Sequence, residues 1–193
     1  MPTGIALRDV RAQLFDAAER VLLLHGPSAL TSRAVTTEAG VAKGVLHRHF
    51  TDFDDFLAAL ISDRSKRVSA QAEELLAAAG TGTVVDNLTT VLTSLFTSVA
   101  VGIMSLIIFR DELRARLKAA HPSGIPLLST AGEMISSYLV AERTLGRLSP
   151  SADIDALGLA LIGSGHLLFA ARSEDPSGSV SRVVAGILAG SLR

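Results

Sequence analysis

The sequence predicts an all-α fold. Apolar residues recur at three- and four-residue intervals along nearly the whole chain, and no run alternates strictly as a half-buried strand does. The periodic segments are separated by residues that start or stop helices, among them Gly26-Pro27, Thr31, Gly40 and Ser149-Pro150. With 193 residues, 48% of them hydrophobic and 19% charged, the chain carries enough apolar surface to build a core.

The first helix aligns Leu7, Val10, Leu14, Ala17, Ala18, Val21 and Leu22 and stops at Gly26-Pro27, where Gly suits a left-handed cap and Pro cannot continue. A short second helix begins after Thr31, whose hydroxyl can cap it, and ends at Gly40. A third spans about Ala42 to His49, and Phe50 closes the group. The next starts near Asp52 and runs through Leu57, Leu60, Ile61, Val68 and Leu75 until Gly80 to Thr83 break it. From Asn87 to Phe109 no side chain ionises over 23 residues, a length that could cross a bilayer. On a helix, however, Leu88, Val91, Leu92, Leu95, Phe96, Val99, Ile103, Leu106 and Ile107 form one stripe, while Thr89, Thr90, Thr93, Ser94, Thr97 and Ser98 take the other face. Lipid gives no reason to segregate hydroxyls, and no aromatic belt or basic flank accompanies the run, so one central core helix is predicted and no membrane span.

Arg110 to Ala120 alternates in charge and reads as a solvated segment, followed by a His121-Pro122-Ser123-Gly124 loop. Pro126 fits the first position of a helix carrying Leu127, Leu128, Ala131, Met134, Ile135, Tyr138 and Leu139. After Ser149-Pro150 comes a helix rich in small residues, with Asp153 and Asp155 where the helix dipole favours anions. The last helix follows Asp175-Pro176 and aligns Val180, Val183, Val184, Ile187 and Leu188.

The 18 Lys and Arg against 19 Asp and Glu, net −1, exclude a protein that coats nucleic acid by bulk positive field, so any such contact is a local patch. The absence of cysteine excludes disulfides, thiolate catalysis and Cys-ligated zinc or iron–sulfur centres. The first residues show no apolar secretory core, which makes the cytoplasm the default. His47 and His49, at i, i+2, point to different sides of a helix and suit no metal. Gly163-Ser164-Gly165 lacks the Gly-x-Ser-x-Gly spacing of a hydrolase elbow. No catalytic set and no cofactor motif emerges, and the chain is expected not to be an enzyme.

Three short helices with Gly between the second and third outline a helix-turn-helix. In the stretch Leu30-Thr31-Ser32-Arg33-Ala34-Val35-Thr36-Thr37-Glu38-Ala39-Gly40-Val41-Ala42-Lys43-Gly44-Val45-Leu46-His47-Arg48-His49-Phe50, the residues Val35, Ala39, Val41, Leu46 and Phe50 would pack on Leu14, Ala18 and Val21. Arg33, Lys43, Arg48 and His49 are left outside as a cationic patch, able to meet phosphates and to read guanine in the major groove. Gly44 allows the backbone close to the groove wall.

This motif resembles the tetracycline-repressor (TetR) family of transcriptional regulators, which shows an Ala-Gly-Val, a Lys-Gly pair and a Tyr-x-His-Phe close to these positions. The likeness is strong from about Leu14 to Leu60 and architectural beyond. It implies that Lys43, Gly44, Val45 and Arg48 touch bases or the groove floor, that Arg33 meets a base or phosphate, and that Thr31, Ser32, His47 and His49 meet phosphates. The chain departs from the family at Ala42, where a capping Ser or Thr is common, at His47, usually Tyr, and at Phe53, usually Lys. The last two changes replace residues that serve the family as phosphate contacts, which bears on the local backbone grip.

The expected organisation is a helix-turn-helix domain over residues 1–51 and a larger ligand-binding and dimerisation bundle over 52–193. The small-residue helix and the last helix form a surface too apolar to expose, which self-association would bury, with Ala160, Gly163, His166, Leu167, Val180, Val184 and Ile187 at the interface. The resemblance implies the same, a four-helix interface of a two-fold dimer on an operator. Phe96, Met104, Phe109 and Tyr138 near Ser and Thr hydroxyls suit a mostly apolar small-molecule effector, although hydroxyls bonded to their own helix would give the same pattern. The expected function is a homodimeric regulator of a palindromic DNA operator, most simply a repressor released by an apolar or amphipathic effector. The alternative is a helical lipid- or small-molecule-binding module without operator binding.

Overall fold

The computed structural model describes residues 9–97, 100–121, 126–170 and 175–193. Leu7, Ser98, Val99, the 122–124 loop and Ala171 lie outside the described residues, as do the side chains of Thr97, Val101, Leu128 and Ala170. The fold is all-α, with helices α1 (Val10–His25), α2 (Ser32–Glu38), α3 (Val45–His49), α4 (Phe53–Ala77), α5 (Val84–Thr97), α6 (Ala100–Phe109), α7 (Asp111–Ala120), α8 (Pro126–Thr144), α9 (Ile154–Ala170) and α10 (Pro176–Leu188). A single 3-10 turn, Pro27–Ala29, joins α1 to α2.

The chain packs as two compact units, Met1–Ile61 with Gly102–Ala120, and Ser62–Val101 with His121–Arg193. Packing therefore divides the chain otherwise than the expected boundary between residues 51 and 52, because the 102–120 segment joins the N-terminal unit. The uncharged run is two helices, not one: α5 ends at Thr97 and α6 begins at Ala100. Both halves are uncharged because both are core, α5 burying Leu88, Leu92 and Leu95, and α6 burying Ile103 and Ile107. Among the described residues no helix is long and apolar enough to cross a membrane. The 110–120 segment is likewise not simply solvated. It forms α7, whose Leu113 and Leu117, four residues apart, are fully buried while the charges occupy the other faces.

In the first unit α1 packs on α2, and α2 on α3. Leu14, Ala17 and Ala18 of α1, Val35 of α2 and Leu46 of α3 are completely buried. Thr31 caps α2, its Oγ1 accepting the Ala34 N–H at 3.1 Å. Gly40 ends the helix with φ +67, and the Val41 N–H then closes on the Thr36 carbonyl at 3.0 Å. A side chain at position 40 would be strained in this left-handed turn.

The second unit packs α10 on α5 and α9, α8 on α9, and α5 on α9. Gly165 of α9 lets the Phe96 ring lie against the helix backbone; a methyl added there would sit 2.8 Å from Cδ2. Phe96 stacks on Phe169 at 5.8 Å. Polar groups join the loops. The Asn87 amide donates to Tyr138 Oη at 2.9 Å and to the Thr81 carbonyl at 3.0 Å. The wholly buried Glu142 accepts the Gly80 N–H at 3.2 Å and lies 3.3 Å from Arg147 Nε, while Arg147 Nη2 donates to the Gly82 carbonyl at 2.6 Å. Burial, then Glu142, pushes the Tyr138 phenol well above its ordinary range, so it stays a neutral donor.

Removing one member of a buried ion pair leaves the other unpaired, which costs about 3–5 kcal/mol. Arg147→Ala is expected to destabilise the chain by that order, read as a lowered urea midpoint. An unchanged midpoint would show that Gly80 and Tyr138 suffice to hold Glu142.

Candidate nucleic-acid interface

The short helices α2 and α3 present the predicted cationic surface. Arg33 on α2, Lys43 and Gly44 in the turn before α3, and His47, Arg48 and His49 on α3 are all exposed. Leu46 and Phe50 point inward on the opposite side of α3. This is what a recognition helix requires, one face anchored and the other carrying donors. Val45, at the start of α3, is half-buried. Exposed Thr31 spends one lone pair on its cap, and its hydroxyl proton stays free to meet an acceptor.

Ser32 departs from the expected arrangement. Its Oγ is enclosed and has no hydrogen-bond partner, so the hydroxyl does not face outward to a phosphate as expected. The absence of a hydroxyl at Ala42 is visible in α3, which begins only at Val45 and has no side-chain cap. Gly44 stands at its N-terminus, and the Val45 N–H is held by the Ala42 carbonyl at 2.9 Å.

What anchors this surface is aromatic. Phe50 lies 5.9 Å from Phe15 and 5.1 Å from Phe56, edge-on to the latter, and Arg11 covers its other side at 4.5 Å. Phe53, standing where the resembling family has Lys, stacks on Phe56 at 5.6 Å and carries the Arg110 guanidinium 5.6 Å above its ring. It thus serves packing in place of a phosphate contact. A second layer ties α1 to α2: Gln13 Nε2 donates to the Ala39 carbonyl at 2.7 Å, and Arg20 pairs with Glu38 at 2.6 Å.

The expected ligand residues fall in both units. Phe96 and Tyr138 are buried in the second unit, whereas Met104 and Phe109 belong to the first. Phe109 is 84% exposed at the end of α6. The second unit instead has an open groove of about 240 Å³ between α4 and α5, lined by Gln71, Glu74, Leu75, Asn87, Thr90 and Ser94. The hydroxyls of α5 gave a hint of it, but Gln71 and Glu74 gave none.

The expected dimer residues also divide. Ala160, Gly163 and Leu167 are exposed on α9, His166 and Ile187 are half-buried, and Val180 and Val184 are 1% exposed within the single chain. The last two pack α10 on its own neighbours and offer nothing to a second copy. The exposed face of α9 consists of Ala156, Leu159, Ala160, Gly163 and Leu167, with Leu159 and Leu167 open to 76% and 70%. Leu159 is absent from the expected set, though it lies on the same stripe.

Residues 14–60 match the profile of bacterial regulatory proteins, tetR family. No curated protein matches the chain. Among solved structures, the fatty acid degradation regulator FadR of Bacillus halodurans is 17% identical, with a TM-score of 0.72 over 95% of this chain and 96% of its own. The transcriptional regulator FadR of Bacillus subtilis, solved in complex with stearoyl-CoA, is 17% identical with a TM-score of 0.68, covering 93% and 98%. SmeT, repressor of a Stenotrophomonas maltophilia multidrug efflux pump, is 18% identical with a TM-score of 0.65, covering 95% and 90%. At such identities the likeness establishes the fold.

Just beyond α3, Asp52 joins the start of α4 to α7. Its Oδ1 accepts the Asp55 N–H at 2.7 Å, and its two oxygens receive Arg116 Nη1 and Nη2 at 3.0 and 2.9 Å. The Arg116 hydrogen bonds, then the Asp55 N–H, hold the Asp52 carboxyl below its ordinary 3.8. A depressed folded pKa contributes stability that is complete above the ordinary value and lost as pH falls through the lower folded one. Between pH 5 and pH 3, wild type is therefore expected to lose more of its urea midpoint than Asp52→Asn, which keeps an N-capping side chain without the charge. Equal losses in the two proteins would refute the assignment.

Proposed function

We propose that this chain, a regulatory protein of the tetR family by its residues 14–60 and by its fold, is a homodimeric transcriptional regulator that binds a palindromic DNA operator and is released from it by a small molecule. The observation that carries the reading is the exposed set Arg33, Lys43, Gly44, His47, Arg48 and His49 on two helices whose opposite faces are buried. Lys43 and Arg48 are the candidates for base edges, since a cationic donor at the start or on the outer face of such a helix can reach guanine O6 and N7. Thr31, Arg33, His47 and His49 are assigned to phosphates, and Val45 to apolar contact with the groove.

Dimerisation is assigned to the exposed α9 face with the adjoining part of α10. At Gly163 and Gly186 an added Cβ would meet nothing within 4 Å, so a second copy could approach the backbone closely. Two heads related by a two-fold axis would then meet half-sites about 34–36 Å apart or a multiple of that. The effector is proposed to be apolar or amphipathic and to bind in the second unit; the stearoyl-CoA held by the Bacillus subtilis regulator is of this class. It acts by binding more tightly to the form whose heads do not fit the operator. Transcriptional repression follows if the operator overlaps a promoter. The domains are proposed to divide by function at residues 51 and 52, and the protein is assigned to the cytoplasm, where its DNA lies.

Footprinting of the purified protein on the DNA upstream of its own gene tests the reading. A protected palindrome is expected, and binding without any protected site would favour the ligand-binding module. Arg48→Ala is expected to cost about 1–3 kcal/mol of operator affinity, concentrated at particular base positions if Arg48 reads a base and spread evenly if it holds phosphate. Separately, Leu159→Glu with Leu167→Glu is expected to yield a monomer in sedimentation, and a persistent dimer would exclude the α9 face.

A further inference from the structure

The binding surface ends in an unfavourable charge. Counting from Arg33, the patch holds three permanent cations, Arg33, Lys43 and Arg48, with Glu38 already bonded to Arg20. Three to six residues after His49 stand three carboxylates, Asp52, Asp54 and Asp55, the first of them within about 11 Å of extended chain. They belong where they are for local reasons. Asp52 accepts the Asp55 N–H, Asp55 Oδ2 accepts the Thr51 N–H at 2.9 Å, and Asp54 and Asp55 sit in the first turn of α4 where the dipole favours anions. Nevertheless they follow directly on the surface that is to meet phosphates, Asp52 within about one Debye length of His49, and three negative charges there oppose the three positive ones.

The 102–120 segment supplies the correction. Arg110 Nε donates to Asp54 Oδ1 at 2.8 Å, with Nη2 at 2.7 Å from the same oxygen. Arg116 grips Asp52 through both terminal nitrogens. Three nearby charges are engaged otherwise: Arg11 lies over Phe50, Arg114 pairs with Asp111 on α7 itself, and Asp55 is turned to the Thr51 N–H. Two of the three carboxylates are thus neutralised by arginines far away in sequence.

We propose that Arg110 and Arg116 are positioning residues for DNA binding, which cancel the charge of Asp54 and Asp52 beside the recognition helix and thereby leave the α2–α3 surface net cationic. This rests on the DNA-binding reading, but not on the existence of a specific operator, because backbone attraction is independent of sequence. The arginines touch no base. They act through the carboxylates, so the sign of the effect on removing a carboxylate distinguishes this role from a purely structural tie between α4 and α7.

The test is fluorescence anisotropy of the full-length protein on a random-sequence 30-base-pair duplex between about 50 and 200 mM salt. Asp52→Asn is expected to tighten binding about three- to tenfold at the lowest salt and less as salt screens the charge. Arg116→Gln is expected to weaken it by a similar factor, Arg116→Lys to stay within about twofold of wild type, and Arg116→Gln with Asp52→Asn to return to wild type. If the contact is only a structural tie, Asp52→Asn weakens binding and the double variant binds no better than Arg116→Gln; either result overturns the proposal. Should Arg116→Gln fail to fold, Asp52→Asn and Arg116→Lys decide alone. Absence of a footprint with these charge effects intact would sink the operator and spare the inference, whereas absence of all duplex binding would sink both.

Discussion

A helix of five residues has no stability of its own. Its few intrahelical hydrogen bonds cannot offset the cost of nucleation, and α3, Val45–His49, also lacks a side-chain cap. It exists because Leu46 is fully buried and because Phe50, one residue past its end, is 4% exposed between Phe15 of α1 and Phe56 of α4. The chain has only seven phenylalanines, and four of them, Phe15, Phe50, Phe53 and Phe56, meet in this one cluster. In a protein otherwise packed with small aliphatics, the large rings are concentrated where a short element must be held in a single orientation. Everything that α3 displays to the outside depends on that contact.

The helix-turn-helix was legible in sequence because its signals are local. Thr31 had to cap, Gly40 had to turn with positive φ, and Val35, Ala39, Leu46 and Phe50 had to face inward if Arg33, Lys43 and Arg48 were to face outward; each of these is found. Ser32 shows where such reading stops. Neighbouring a cap and polar, it was expected to face out, but the direction of one short side chain depends on packing that spacing does not encode, and its hydroxyl is enclosed.

Elsewhere the sequence showed that a face is buried without showing against what. The apolar stripe of α10 is real, yet Val180 and Val184 satisfy it inside their own chain, whereas Leu159 and Leu167 on α9 do not. Hydrophobic periodicity cannot separate these cases, because burial in a core and burial in an interface reward the same residues. The uncharged run from Asn87 to Phe109 failed in the same way. One continuous pattern concealed two helices that serve the cores of two different units.

The most consequential feature hidden from the sequence is the assignment of the 102–120 segment to the N-terminal unit. Its charges looked like those of any solvated segment, and only the partners give them meaning: Asp54 lies 56 residues from Arg110, and Asp52 lies 64 from Arg116. Local rules place acids at the first turn of α4, and those same acids oppose an approaching phosphate backbone. A sequence read one helix at a time finds the first requirement fulfilled and cannot see the second. The conflict is resolved by cations brought from another part of the chain, so that α4 keeps its favourable start while the surface ahead of it keeps its positive charge. A long-range ion pair on an exposed surface contributes little to stability. Its physical effect at this place is on the field in front of α3, and charge, unlike packing, acts without contact.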